Sequence, residues 1–360
     1  MAASEGAILL TGGSGVAGQA LLEQLPAERV ICLVHRHPVR SAQVECVTGD
    51  VTAARFGLGE NQFADLAARV ECIIHSAAVT NFFTVDREVV ERANLQGTER
   101  ALEFASLAGA PLHFVSTAFV GGSADSRPGD GDPRRELPGI AATAEGYRFS
   151  KLESERLVRD SGLRCAVHRP SIMFGDSRTG AMSRFQGIHA TFHTMARGEV
   201  PALPVSPNGR MDLIPQDIVA GAIAGLVERE RHEGLYWLTL GERALSVERV
   251  IALSVKAMAE HGFDFQAPTI VDPSMIEQLM EPAVMAQLSP QAREGFERHL
   301  GGLIVGGPRD PMPSSLPELE DEGIVSLPDP AAAFLNGILY WARAVGLIEG
   351  PSAVHPGGGK

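Results

Sequence analysis

A tyrosine and a lysine four residues apart, Tyr147 and Lys151 in EGYRFSKLES, are the pair in this sequence best suited to chemistry. The chain has only three tyrosines and three lysines, so chance would produce such a pair in roughly 2–3% of random arrangements. A four-residue step puts both side chains on one face of a helix. An ammonium beside a phenol favours the phenolate, so we expect the pKa of Tyr147 to fall toward neutrality. The pair therefore predicts proton transfer with a substrate oxygen.

Apolar runs and helical patterns alternate over the first 170 residues, and this order predicts the frame that must hold the pair. The runs lack polar alternation, which is typical of strands buried on both faces of a parallel sheet. The predicted strands are Ala7–Thr11, Val30–Val34, Val44–Thr48, Cys72–His75, Leu112–Ser116 and Cys165–His168. The predicted helices are Ala17–Gln24, Glu60–Ala68, Val85–Ala108 and Tyr147–Ser161. The pattern indicates an α/β fold.

A glycine-rich turn, TGGSGVAG, follows the first predicted strand and leads into the first predicted helix. Gly12 would permit the tight turn, Gly15 would let a pyrophosphate approach backbone N–H groups, and Gly18 would let the helix pack closely. The pyrophosphate would then lie at the positive end of the helix. The flanking strand and helix favour dinucleotide binding and a Rossmann-type, doubly wound parallel sheet. The predicted contacts in the turn are Thr11, Gly12, Ser14, Gly15, Val16 and Gly18.

The residues after the second and third predicted strands indicate which dinucleotide binds. Enzymes that select NAD place an acidic residue after the second strand, whereas a basic residue suits the 2′-phosphate of NADP. Here His35, Arg36 and Arg40 follow that strand, so we predict NADPH; an exposed arginine that touches no cofactor is the alternative. Asp50 and Val51 follow the third strand and are predicted to meet the adenine. A turn-forming aspartate is the alternative for Asp50.

The alternation weakens after the sixth strand, where we predict a second region. Met211–Val227 predicts a short strand or turn and a helix, Leu235–Leu240 an edge strand, and Ala331–Val345 a closing amphipathic helix. Two further helical patterns lie at Ser274–Leu288 and Pro290–Leu300.

These patterns predict two domains. Residues 1–170 form the NADP-binding domain, to which 211–240 returns. Residues 171–210 and 241–350 form a smaller, mostly helical substrate-binding region, and 351–360 form a disordered tail. Apolar side chains in the second region would either line a pocket for an apolar ligand or form a helical core, and we favour the core. They include Phe185, Phe192, Met195, Met275, Met280 and Met285.

Charge and composition limit the remaining classes of partner. A net charge of −13 argues against nucleic acid or an anionic membrane, because both reward clustered positive charge. No apolar run approaches the roughly 20 residues of a membrane span. The four cysteines lie in or beside apolar runs without paired CxxC spacing, which favours buried thiols over a metal site. We expect a cytoplasmic protein that binds no metal.

Several motifs occur in a fixed order along the chain: TGGSGVAG, HSAA, ANLQGT, VSTAFVGG, YRFSK and HRPSIMFGD. Together they resemble the extended short-chain dehydrogenase/reductase family. A second set, CLVHR, IIHSAAVTNF, HFVSTAFV, GDSRTG and MDLIPQDIVAGAI, looks like its thioester-reductase and fatty-acyl reductase branch, with male-sterility-type NAD-binding domains. The resemblance covers residues 7–240 and fades beyond them.

This resemblance implies roles for individual residues. In the family the tyrosine and lysine act as one unit, so Lys151 would also hold the nicotinamide ribose while Tyr147 gives a proton to the substrate oxygen. Thr117 matches the family's Ser/Thr position and would donate to the developing oxyanion; a strand-end cap is the alternative. Asn94 would support the lysine through a water; a purely structural role is the alternative. The cofactor contacts implied after the fourth and sixth strands are Ser76, Ala77, Ala78, Pro170 and Ser171.

The identity of the reduced carbonyl stays open between several classes. The motifs favour an NADPH-dependent reductase of an acyl thioester, borne by coenzyme A or an acyl-carrier protein, that gives an aldehyde or alcohol. A free-standing ketone, aldehyde or sterol-type reductase is the alternative, because a net charge of −13 ill suits docking an acidic carrier protein. Epimerase or dehydratase chemistry is less favoured. A non-catalytic NADP-binding regulator is also less favoured, because such proteins usually lose the Tyr–Lys pair.

Overall fold

The computed structural model describes residues 6–39, 41, 43–80, 87–121, 127, 142–199, 202–206, 209–271 and 311–350. The strands are β1 Ala7–Thr11, β2 Val30–Val34, β3 Glu45–Thr48, β4 Val70–His75, β5 Leu112–Val115, β6 Cys165–Pro170, β7 Ile172–Met173, β8 Ala202–Pro204, β9 Arg210–Met211, β10 Leu213–Ile214, β11 Gly234–Leu238, β12 Leu245–Ser246 and β13 Thr269–Val271. The helices are α1 Val16–Gln24, α2 Glu60–Arg69, α3 Arg87–Glu91, α4 Gly97–Ala108, α5 Ala142–Asp160, α6 Gly187–Ala196, α7 Gln216–Glu228, α8 Val247–Ala259, α9 Leu316–Asp321 and α10 Pro330–Ala344.

Seven parallel strands form the central sheet in the order β11-β6-β5-β4-β1-β2-β3. Strands β1 and β2 are buried over almost their whole length, which explains their unbroken apolar sequence. The strand order reverses between β1 and β4, and such a reversal leaves a crevice at the carboxyl ends of the strands. The α/β fold with a doubly wound parallel sheet is confirmed.

Helices cover the sheet on both faces. Helices α1 and α7 pack together on one face, where Leu21 and Ile223 are fully buried. On the other face, beside α2 and α4, the ring of Phe104 lies 5.4 Å from that of Phe56 and 5.2 Å from that of Phe63. These two apolar layers hold the strands between them.

Strand β11 extends the sheet beside β6, at one edge, as predicted for Leu235–Leu240. Together with the packing of α7 on α1, this brings part of 211–240 back to the sheet. The domain boundaries themselves stay a prediction.

A second apolar core lies among the later elements. Phe192 of α6 and Trp341 of α10 pack in it with Phe174, which follows β7. Phe192 is 0% exposed and Met195 is 2% exposed, so the favoured role of core residues is confirmed for both. Phe185 is half-buried against the same core. The other three side chains of this prediction, Met275, Met280 and Met285, lie outside the described residues.

Two helices differ from their predicted bounds by more than one residue. The predicted helix Val85–Ala108 is divided into α3, a π-helical turn at Arg92–Gln96, and α4. The helix that carries Tyr147 begins at Ala142 and runs through Gly146. A glycine inside a helix costs only about 1 kcal/mol relative to alanine, which the surrounding turns offset.

The helical patterns at Ser274–Leu288 and Pro290–Leu300 and the tail at 351–360 lie outside the described residues. Within the described part of the chain, no helix is both long and apolar enough to cross a membrane.

Candidate functional site

Helix α5 buries a row of polar side chains. Tyr147, Lys151 and Glu155 follow one another at four-residue steps, with Ser150 and Ser154 beside them, and all five are at most 6% exposed. Four residues slightly exceed one helical turn, so these side chains share one face. The pair predicted from the sequence therefore points inward, toward the end of β5 and the π-helical turn.

The Tyr147 phenol is hydrogen-bonded to the side chain of Thr117, which lies just beyond β5. Thr117 also caps the short turn that follows, where its Oγ1 accepts from Phe119 N at 3.4 Å. Burial raises the pKa of Tyr147 above its usual range, and the hydrogen bond with Thr117 only partly opposes this. The expected fall of this pKa is therefore wrong, because removal from water outweighs the favourable contacts. Tyr147 is a neutral phenol that can donate a proton.

The Lys151 ammonium lies beside the last residues of β5. Its Nζ donates to the Val115 carbonyl at 2.8 Å and lies 4.7 Å from the centroid of the Phe114 ring. Burial lowers the pKa of Lys151 to about 7, and the carboxylate of Glu155 opposes this shift. The charge on Lys151 can therefore change near neutral pH.

Asn94 lies at the centre of the π-helical turn and connects three segments. Its Oδ1 accepts from Val79 N at 2.8 Å, and its Nδ2 donates to Ser150 Oγ at 2.9 Å. Its backbone carbonyl accepts from Thr98 Oγ1 at 2.7 Å and from Ser154 Oγ at 3.1 Å. Turns of this kind are often found at functional sites. Asn94 thus anchors α5 to the segment after β4, while its link to Lys151 through a water stays a prediction.

A buried ion pair near Lys151 was missed by the sequence analysis. Arg169 of β6 reaches Glu155 through Nε at 3.0 Å and Nη2 at 2.6 Å, and both side chains are 0% exposed. Ser116 Oγ donates to Glu155 at 2.5 Å, and Arg169 Nη1 donates to the Gly121 carbonyl at 2.9 Å. The pair ties α5 to the ends of β5 and β6. A charged residue inside an apolar strand was the signal that could have revealed it.

The glycine-rich turn leaves the start of α1 open to a ligand. Gly12 has φ +74°, and a Cβ there would lie 2.6 Å from Ala77 N. A Cβ on Gly18 would lie 2.2 Å from the Gly12 oxygen, so helix and turn pack too closely for any other residue. Gly15 caps α1 without a side chain, and the first helical turn holds no acidic residue. Free N–H groups at the positive end of a helix fit the pyrophosphate of a dinucleotide.

The segment after β4 lies against this turn. Ser76 N donates to the Thr11 carbonyl at 3.2 Å, and Ala77 N donates to Thr11 Oγ1 at 3.3 Å. Thr11 Oγ1 also lies 2.8 Å from Nδ1 of the buried His75. The structure therefore brings the ends of β1 and β4 together where the strand order reverses. The other predicted contacts here are half-buried: Ser14, Val16 and Ala78.

The ends of β2 and β3 meet through His35 and Asp50, whose Nε2 and Oδ2 lie 3.6 Å apart. Asp50 Oδ1 accepts from Thr52 N at 2.8 Å and from Thr52 Oγ1 at 2.9 Å. Partial burial disfavours the carboxylate, yet these hydrogen bonds and the charges of His35 and Arg36 lower the pKa of Asp50. Asp50 thus has the turn role that was its alternative. Arg36 is exposed beside it, and Arg40 lies outside the described residues.

Three further predicted contacts lie beside neighbouring elements. Val51 packs on the start of α4, 3.4 Å from the position of a Cβ on Gly97. Pro170 pairs with Leu238 of β11, and Ser171 Oγ donates to the buried carboxylate of Asp212. The predicted residues that the structure describes therefore lie at the carboxyl edge of the sheet or on helices that face it.

A match to a known family decides what kind of domain this is. The family model of the male sterility protein matches residues 33–223, more than half of the chain. The chain belongs to this family. The resemblance to extended short-chain dehydrogenases/reductases is thereby confirmed, and this male-sterility-type chain contains an NAD(P)-binding domain of the reductase type.

Relatives of this chain include parts of large synthetases. The fusarin C synthetase of Gibberella moniliformis is 30% identical over 320 residues, which cover 82% of this chain and 8% of that protein. A component of the linear gramicidin synthase of Brevibacillus parabrevis is 27% identical, over 77% of this chain and 6% of that protein. The chain therefore spans less than a tenth of the length of these curated relatives.

Two solved structures share the fold. The crystal structure of the terminal R domain of the myxalamid PKS-NRPS pathway superposes with a TM-score of 0.71 at 24% identity, covering 98% of this chain and 94% of that one. A thiolation-reductase di-domain from an archaeal non-ribosomal peptide synthetase gives a TM-score of 0.66 at 16% identity, covering 96% and 76%.

Proposed function

We propose that this chain is an NADPH-dependent reductase that delivers hydride to the carbonyl of an acyl thioester and releases an aldehyde. The observation that carries the proposal is the meeting of Thr117, Tyr147 and Lys151 at the carboxyl edge of a sheet whose glycine-rich turn fits a dinucleotide. A second reduction of the aldehyde would give the alcohol by the same chemistry.

The bound cofactor supplies the hydride, and the chain supplies the proton and the electrostatic support. As hydride reaches the thioester carbon, negative charge develops on the carbonyl oxygen. Tyr147, whose pKa burial raises, gives its proton to this oxygen, and Thr117 stabilises the same charge as a second donor. The hemithioacetal that results then loses its thiol, so an aldehyde and a free thiol leave the site.

Lys151 stabilises the tyrosinate that remains after proton transfer and holds the nicotinamide ribose. Its ammonium form is needed for both tasks, and Glu155 favours that form by its charge. The pair of Glu155 with Arg169 and the contacts of Asn94 keep the polar face of α5 in place. We assign these three residues positioning roles.

Selection of NADPH over NADH is proposed to come from the end of β2. Arg36 is exposed there, and Arg40 follows in the sequence, so a guanidinium fork can bind the 2′-phosphate. The only carboxylate described near this end, Asp50, is already engaged by Thr52 and His35. It is therefore poorly placed to select the ribose hydroxyls of NADH.

The relatives favour a carrier-bound thioester as the substrate. Two of the proteins similar to this chain are a synthetase and a synthase component, and the archaeal structure joins a thiolation domain to a reductase domain. An acyl-carrier protein is therefore the proposed partner. The net charge of −13 favours the other candidate, a reductase of free aldehydes or ketones, because carrier proteins are themselves acidic.

One assay separates the two candidates. Purified chain is given NADPH with acyl-coenzyme A, acyl-carrier protein or free aldehydes and ketones, while NADPH absorbance and thiol release are followed together. We expect thiol release that matches NADPH oxidation with thioesters, and turnover about 10²–10⁴-fold lower in Tyr147→Phe. Oxidation with free carbonyls alone would contradict the thioester proposal and favour the other candidate.

A further inference from the structure

A cluster of cysteine and histidine side chains lies away from the proposed hydride-transfer site. Cys72 of β4, His113 of β5 and His232, just before β11, bring one sulfur and two ring nitrogens within 4.8 Å of one another. His113 Nε2 lies 3.0 Å from His232 Nδ1. Cys72 and His113 are buried and His232 is half-buried, toward the amino edge of the sheet. The proposed reaction uses none of the three.

We propose that Cys72, His113 and His232 form a binding site for one divalent transition-metal ion, with Zn²⁺ as the best fit. A thiolate and two imidazoles are the donors that Zn²⁺ prefers over carboxylate and carbonyl oxygens. With Zn–S of about 2.3 Å and Zn–N of about 2.0–2.1 Å, tetrahedral ligand atoms lie about 3.3–3.6 Å apart. The two imidazole nitrogens, now 3.0 Å apart, therefore have to separate by about 0.3 Å, and separations of up to 4.8 Å have to shorten by about 1.2 Å. The turn that carries His232 can absorb both shifts.

His168 supports the ligand His113 from its other side. His168 Nε2 lies 3.0 Å from His113 Nδ1, and the two rings stack with centroids 5.2 Å apart. His168 in turn stacks on Tyr236 at 5.6 Å. When His113 donates its Nδ1 proton to His168, its Nε2 lone pair is free for the metal. Metal-binding histidines commonly donate the N–H of their second ring nitrogen to a hydrogen-bond acceptor, and His168 is the acceptor here.

The surroundings of His232 carry charges of both signs. Helix α7 ends at Glu228, four residues before His232, and the end of a helix carries partial negative charge. Burial and the charge of Arg164 oppose positive charge on His232, while the carboxylates of Glu230 and Glu71 favour it. Because His232 is half-buried, solvent can deliver the ion and provide a fourth ligand. On binding, the Cys72 thiol gives its proton to solvent and a metal–sulfur bond replaces the S–H bond.

Cobalt titration tests this site directly. The chain is prepared without a polyhistidine tag, stripped with a chelator and titrated with Co²⁺, whose thiolate complexes absorb in the near ultraviolet. We expect one Co²⁺ per chain with a thiolate charge-transfer band, and displacement of that band by Zn²⁺. Cys72→Ser should lose the band, and His232→Ala should weaken Co²⁺ binding at least tenfold.

Matched controls distinguish the cluster from other donors. Cys46→Ser removes an exposed thiol and His261→Ala an exposed imidazole, and both should bind Co²⁺ as the unmodified chain does. If Cys72→Ser does not fold, His232→Ala decides the question, because His232 lies outside the strands. Absence of the band, or binding that His232→Ala leaves unchanged, means an adventitious ion only and overturns the proposal.

Discussion

The two ends of the parallel strands bury different kinds of polar group. The carboxyl ends of the strands form one edge of the sheet, the carboxyl edge, and their amino ends form the other, the amino edge. Toward the carboxyl edge lie an ammonium and an ion pair, from Lys151, Glu155 and Arg169, near the open start of α1. Toward the amino edge lie the thiol of Cys72 and the imidazole of His113. In a parallel sheet the helices begin at the carboxyl edge and end at the amino edge, so their dipoles favour anions at one and cations at the other. We therefore propose the anionic cofactor for the first edge and a metal ion for the second.

The strongest test of the carboxyl edge is Tyr147→Phe. We expect turnover to fall by about 10²–10⁴-fold, because the proton donor is lost, while NADPH affinity stays unchanged. Steady-state rates and fluorescence titration of NADPH measure the two quantities. Tyr340→Phe, a half-buried tyrosine of α10, is the control and should keep full activity. Normal turnover by Tyr147→Phe would show that the reaction does not depend on this edge.

Glu155→Gln tests whether the carboxyl edge depends on its buried ion pair. The change leaves the Arg169 guanidinium buried without its counter-charge, which should lower the free energy of unfolding by about 3–5 kcal/mol. Adding Arg169→Met should restore part of this loss. Urea unfolding measures each variant. Glu153→Gln, which breaks a partly exposed pair with Arg156 on the same helix, should change stability by about 0–1 kcal/mol. If Glu155→Gln and Glu153→Gln lowered the free energy of unfolding equally, the buried ion pair would contribute no more than the partly exposed one, and the prediction would be wrong.

The pH dependence of kcat/KM reports the charge on Lys151. Burial lowers the pKa of Lys151 to about 7, so its ammonium form is present below this pH and is lost above it. We therefore expect kcat/KM to fall on the alkaline side, by about tenfold for each pH unit at the limit. Lys256→Met removes an exposed lysine and should leave the profile unchanged. If kcat/KM did not change across neutral pH, the reaction would not depend on the charge of Lys151.

Arg36→Glu tests whether the cofactor end of this edge selects a phosphate. A charge-assisted hydrogen bond contributes about 1.5–3 kcal/mol, so the KM for NADPH should rise by about tenfold to 100-fold. The KM for NADH should change little. Arg249→Glu, an exposed charge reversal on α8, is the control. An equal rise for both cofactors would show that Arg36 does not contact the 2′-phosphate.

Metal removal should have the smallest effect and should leave the carboxyl edge untouched. If the amino edge binds Zn²⁺, a chelator should lower Tm by a shift on the order of a few degrees without changing kcat/KM. Differential scanning fluorimetry and NADPH oxidation measure the two effects. The same chelator should not change the Tm of His232→Ala. A parallel loss of activity would show that the two edges are coupled.

Much of the fold was predictable because its signals are local. Unbroken apolar runs predicted β1 and β2 with their observed bounds, since each strand is covered on both faces. The π-helical turn was not predictable, because it depends on hydrogen bonds from Thr98 and Ser154 to the Asn94 carbonyl. The pKa of Tyr147 was also misjudged, since burial is a property of the whole fold.

By itself, the sequence determined that Tyr147 and Lys151 share a helix face and that a glycine-rich turn precedes α1, because both features depend only on the geometry of neighbouring residues. Only the tertiary structure decided which groups surround them. Arg169 meets Glu155, and His113 meets His232 across 119 residues, because parallel pairing brings distant strands side by side. The spacing of residues along the chain does not reveal such contacts. The sequence lacks paired cysteine motifs and therefore predicted no metal site, whereas the fold brings together three side chains that could bind a metal ion.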